Sequence, residues 1–155
     1  MAGSISQHYI AVIMAGMDLI AFCGGLLFLR AKRLLGGGTK FLAPISFLIG
    51  YLLLTLLGGW VGTLLGSACI GFANGVGIPY IMSEASMKAG KTAAVTVMPL
   101  ISASLYLAQF LSPILMSIVT AIFGGMLPHL SYYFAIILSI LFILWSSLIP
   151  TEKAK

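Results

Sequence analysis

Apolar residues fall into five long runs separated by short polar or glycine-rich stretches. The runs extend from about Tyr9 to Leu29, Phe41 to Gly58, Trp60 to Ser83, about Ala94 to Phe123, and Ser131 to Ile149. A helix needs about 20 mostly apolar residues to cross a hydrocarbon core of roughly 30 Å, and only a helix or a closed barrel satisfies its backbone in lipid. Barrel strands would alternate polar and apolar residues at every second position. Stretches such as Leu52-Leu53-Leu54 and Ala135-Ile136-Ile137-Leu138 do not alternate. The pattern therefore predicts an all-α, polytopic membrane helix bundle: one membrane domain over residues 1–155 with five transmembrane helices.

Composition narrows the class. The chain is 61% hydrophobic and 7% charged, whereas a soluble globule carries roughly a quarter charged residues. Too little polar surface remains to coat a soluble fold, which excludes an ordinary cytosolic enzyme, a disordered tail and a secreted disulfide scaffold. Cys23 and Cys69 each lie within an apolar run and read as reduced packing residues. Met1 to Gln7 holds no Lys or Arg, and the first run outlasts a signal-peptide core, so it is expected to stay in the protein.

Charge sets an expected orientation. The net charge of +5 does not point to nucleic acid, because the basic residues cluster between the apolar runs. Arg30, Lys32, Arg33 and Lys40 lie between runs one and two, Lys88 and Lys91 between three and four, and Lys153 and Lys155 after run five. Gly58-Gly59 and the turn from Gly124 to Leu130 hold no Lys or Arg. The positive-inside rule then puts the N-terminus outside and the C-terminus in the cytoplasm, as expected for a multi-pass protein of the cell (inner) membrane. Trp60, Tyr132, Tyr133 and Trp145 fall at run ends, where amphipathic rings favour the interface.

Small and polar residues are spread unevenly among the runs. The third carries Gly62, Gly66, Ala73 and Gly77 on one side with Gly71 and Gly75 beside it, spacings that allow backbones to approach closely. The fourth carries Ser102, Tyr106, Gln109 and Ser112 at steps of four, three and three, a polar stripe that is costly unless it faces protein or water. Runs two and five lack such stripes and are expected to lie outermost.

Asp18 is the only acidic residue inside a run and lies about midway along it. An ionised Asp at the bilayer centre costs about 2.5 to 3.5 kcal/mol on insertion scales, so its presence implies a partner, a water-filled cavity or a protonated state. It is a candidate proton site, with a structural helix contact as the alternative. Asn74 and Gln109, with Ser102 and Tyr106, are candidate cavity-lining residues, and the two amides could equally bridge helices. Pro79, Pro99 and Pro113 interrupt runs three and four and mark expected kinks or packing points. Catalytic motifs are absent: there is no His-Glu-x-x-His pair, no Gly-x-Ser-x-Gly elbow and no Walker loop. His8 and His129 are too isolated for a metal site. No enzyme activity, metal or cofactor is expected.

Three segments together resemble the major facilitator superfamily. Gly25-Leu26-Leu27-Phe28-Leu29-Arg30-Ala31-Lys32-Arg33 is similar to a degenerate second copy of that family's cytoplasmic Gly-x-x-x-Asp-Arg-x-Gly-Arg-Arg loop, with Leu29 in place of the Asp and Lys32 in place of the second Gly. Gly71-Phe72-Ala73-Asn74-Gly75-Val76-Gly77-Ile78-Pro79 and Ser104-Leu105-Tyr106-Leu107-Ala108-Gln109-Phe110-Leu111-Ser112-Pro113 look like the tenth and eleventh helices of bacterial drug and metabolite exporters in the family. The resemblance covers nearly the whole chain. It implies the last five of twelve helices, a half-fold without its first helix, with Gly25, Arg30, Lys32 and Arg33 in a basic cytoplasmic turn. It also implies that runs one, three and four line a central cavity shared with an N-terminal half.

Two functions follow as expectations. The first is part of a secondary active transporter, an exporter of small molecules coupled to protons and not competent alone, whose partners are the bilayer and the missing half. The second is a small helical membrane protein that self-associates as a channel or serves as a structural subunit.

Overall fold

A computed structural model describes residues 7–57, 59–123 and 130–148. Among the described residues all regular structure is helical, in the order α1 (Gln7–Leu35), a 3-10 turn (Gly36–Gly38), α2 (Thr39–Leu56), α3 (Gly59–Phe123) and α4 (Leu130–Leu148). Four helical stretches are long and apolar enough to cross a membrane: Tyr9–Leu56, Gly59–Gly90, Ala93–Phe123 and Leu130–Leu148. Gly58, the 124–129 turn, His129, Ile149, Lys153 and Lys155, for which the sequence carries expectations, lie outside the described residues, as do the side chains of His8 and Lys91.

The first stretch contains both α1 and α2, and its break is the glycine turn. Gly36 takes φ 52°, a left-handed value that glycine adopts without a Cβ clash. Thr39, 1% exposed, closes the turn by donating its hydroxyl to the Gly36 carbonyl at 2.8 Å. Gly25, Arg30, Lys32 and Arg33, expected in a basic turn, all lie inside α1, and the turn falls at Gly36–Gly38 instead. Lys and Arg are good helix formers, and their charge suits the negative end of the helix dipole, so the helix runs on through them to Leu35.

A similar displacement occurs in α3. Its helix continues past Ser83 through Glu84 and Lys88, and the non-helical residue is Gly90, at φ 69° and ψ 172°. That combination is essentially confined to glycine. The backbone stays helical through Pro79, Pro99 and Pro113, and the break falls at Gly90, between the third and fourth apolar runs. Beyond it the arm Ala93–Phe123 folds back, bringing Leu105 and Gln109 beside Asn74 and Ile78.

Stretch Gly59–Gly90 is wedged between α1 and α2, and glycines on two sides permit it. A Cβ at Gly66 would lie 2.8 Å from the Gly50 carbonyl oxygen, and one at Gly62 3.1 Å from that of Leu53, both on α2. A Cβ at Gly71 would collide with the Met17 carbonyl, and one at Gly75 with that of Ala21, both on α1. Nine residues separate Gly62 from Gly71, two and a half turns, so the second pair lies half a turn round the helix from the first and not beside it. Contacts rise together along α1 and α3, which are parallel, and run oppositely along α2 and α3, which are antiparallel.

Helix α2 therefore lies between α3 and α4 and not outermost as expected, and its Thr39, Pro44 and Gly50 are buried. Helix α4 packs chiefly on α2, at the edge. Lys32 bonds to Ser83, and Lys40 to the carbonyl of Ser146, so the C-terminal ends of α1 and α4 meet the start of α2 and the Gly90 region of α3 at one end of the bundle. Arg30, Lys32, Arg33, Lys40 and Lys88 gather there. At the opposite end the rings of Tyr9 and Trp60 meet edge to face at 4.9 Å.

Candidate functional site

The parallel packing of α1 on α3 fixes the depth of the candidate site. Met17 meets Gly71 and Ala21 meets Gly75, so Asp18 on α1 comes level with Asn74 on α3. The fold-back at Gly90 adds Gln109 from the arm. These three side chains line one open cavity of about 570 Å³. Phe22 and Leu26 of α1 and Ile78 and Pro79 of α3 form its apolar wall, and Gly25 and Gly75 also line it.

One carboxylate therefore shares a cavity with two amides, each able both to donate and to accept hydrogen bonds. Among the described residues no Lys or Arg pairs with Asp18. Asp18 and Gln109 are exposed within this chain and Asn74 is half-buried. At hydrocarbon depth such groups need water, a ligand or another protein surface. A site of this kind can orient a small polar or charged molecule between the carboxylate and the amides.

The other candidates are distributed elsewhere. Ser102 is half-buried on the arm and Tyr106 is 71% exposed, and neither lines the cavity. Gly62 and Gly66 seat α2, while Gly71 and Gly75 seat α1. Pro79 is on the cavity wall, and Pro113 is exposed on the arm. Arg30 and Arg33 are exposed, whereas Lys32 is held by α3: its Nζ donates to the Ser83 hydroxyl at 2.7 Å and to Glu84 Oε1 at 3.4 Å.

Sequence reasoning missed Glu84 as the partner of Lys32 and Gly50 as the partner of Gly66. An acidic residue one position beyond an apolar run, and a glycine inside a run of bulky residues, were the available signals. Among the described residues no cluster of His, Cys, Asp and Glu could hold a metal ion. No family model, no curated protein and no solved structure matches this chain.

Proposed function

We propose that the chain forms part of a secondary active transporter of the major facilitator type, one that exports small molecules in exchange for protons and is not competent alone. The observation that carries this reading is the cavity shared by Asp18, Asn74 and Gln109. Alternating access needs two bodies moving around a midplane site, and this chain supplies one wall of such a site. In this reading α1 and α2 each cross the inner membrane separately, making five crossings with the N-terminus outside. The gathering of Arg30, Lys32, Arg33, Lys40 and Lys88 at one end of the bundle supports that orientation.

The exposure of Asp18 and Gln109 also fits a second reading, a subunit that covers these groups with further copies of itself to form a channel. Flux in proteoliposomes under an imposed pH gradient separates the two. The chain should be silent alone and active once complementary helices complete the cavity, and Asp18→Asn should then lower proton-coupled efflux more than substrate binding. Robust flux by the chain alone would defeat the half-transporter reading. Unchanged coupling in the Asn variant would return Asp18 to a structural role.

A further inference from the structure

The charges of the chain are placed so that Asp18 stands apart from all the cations. Stretches 9–29, 41–56, 59–83, 93–123 and 130–148 contain no Lys or Arg. Arg30, the first Arg or Lys of α1, is twelve residues beyond Asp18, about 18 Å along the helix axis. Among the described residues no ion pair includes Asp18. Its countercharge therefore has to come from a molecule that enters the cavity.

The rest of the lining narrows the chemistry of that molecule. An anion is repelled by the carboxylate, and a neutral molecule that displaces water leaves the carboxylate uncompensated at hydrocarbon depth. A cation meets both demands. Asn74, level with Asp18, and Gln109, from the arm, are neutral and offer carbonyl oxygens. A cation with N–H groups donates to them, whereas a quaternary cation leaves them without a partner. Phe22, Leu26, Ile78 and Pro79 offer the remainder of the molecule only apolar contact. We propose that the cavity receives a primary ammonium group carried on a compact apolar body, paired with Asp18 and donating to the amide carbonyls. The volume of about 570 Å³ suits a small molecule. This ligand class deepens the transporter reading, and rests on it in taking the cavity to receive a molecule from water. Asp18→Asn keeps the amides and the apolar wall, so it weakens binding while coupling to protons is lost.

The test is equilibrium dialysis of the full chain in detergent at neutral pH, with empty micelles as the partition blank. The probes share one apolar cage and differ in the head: adamantylamine, adamantanol, adamantane carboxylate and trimethyladamantylammonium. The wild type should bind the amine about tenfold or more tighter than the alcohol, the effect of a charge-assisted hydrogen bond. The trimethyl form should bind about fivefold more weakly than the amine, having lost its donors to the amides, and the carboxylate should bind least. Asp18→Asn should lower amine binding about tenfold and leave the alcohol unchanged, while Tyr106→Phe, outside the cavity, should alter neither. Equal affinity of the wild type for amine and alcohol would overturn the proposal, and this comparison needs no variant to fold. So would equal affinity for the amine and its trimethyl form, or undiminished amine binding by Asp18→Asn. Because dialysis involves no flux, the two readings fail separately. Ammonium preference without flux in the completed transporter would defeat the transport reading alone, and proton-coupled flux without that preference would defeat the ligand class alone.

Discussion

Lys32 and Glu84 join the end of α1 to α3, with Nζ 3.4 Å from Oε1 and the two side chains 29% and 33% exposed. Because water still reaches the pair, its worth is that of a surface ion pair, about 0.2–1 kcal/mol. Glu84→Gln should lower stability by that amount, and less at high salt. The Ser83 hydroxyl continues to hold the ammonium, so Lys32→Met should cost more. Denaturant titration of the detergent-solubilised chain at low and high ionic strength measures both.

Gly75 and Gly16 make a contrasting pair. A Cβ at Gly75 meets the Ala21 backbone, while one at Gly16 meets nothing within 4 Å. Gly75→Ala should force α1 off α3 at a cost of about 1–3 kcal/mol. Gly16→Ala should be neutral or stabilise by up to about 1 kcal/mol through helix propensity. Equal effects at the two positions in the same unfolding assay would contradict the packing described for α3.

Gly90 holds a backbone geometry that other residues reach only with strain. A Cβ there has open space around it, so the cost is conformational and not steric crowding. Gly90→Ala should destabilise by about 1–3 kcal/mol. It should also change the protease sensitivity of the connection between the Gly59–Gly90 stretch and the arm. A variant with wild-type stability and an unchanged digestion pattern would argue against the break.

How much of this was legible beforehand depends on the range of the interaction. Helix type and approximate extent follow from apolar runs, which are local, and the gathering of basic residues follows from their order along the chain. The end of α1 was misplaced because Arg30 to Arg33 is polar yet strongly helix-forming, so polarity and helix termination part company there. The glycine faces of α3 could be found by periodicity, but their partners could not. Gly50, which seats Gly66, and Glu84, fifty-two residues from Lys32, have meaning only once two helices meet. In the candidate site, Asp18, Asn74 and Gln109 were each conspicuous as polar residues in apolar surroundings. Tyr106 belongs to the same sequence stripe as Gln109, yet it is 71% exposed and only Gln109 of the two lines the cavity.

The orientation is open to direct measurement. With Cys23 and Cys69 replaced, single cysteines at Lys40 and Lys91 should be shielded from an impermeant thiol reagent on intact cells. Cysteines at Gly59 and His129 should react. External labelling at position 40 or 91 would reverse or break the proposed topology.

The two glycine pairs of α3 also have a mechanical consequence. Where backbone rests on backbone, no long side chain is available to bend, and α1, α2 and the Gly59–Gly90 stretch behave as one stiff plate. The arm is joined to that plate through Gly90, where an added Cβ would meet nothing within 4 Å. If compliance is concentrated at this joint, the gap between Asp18 and Gln109 should change with its angle. Spin labels placed on α1 and α2 should therefore give a narrow distance distribution, and labels on α1 and the arm a broad one.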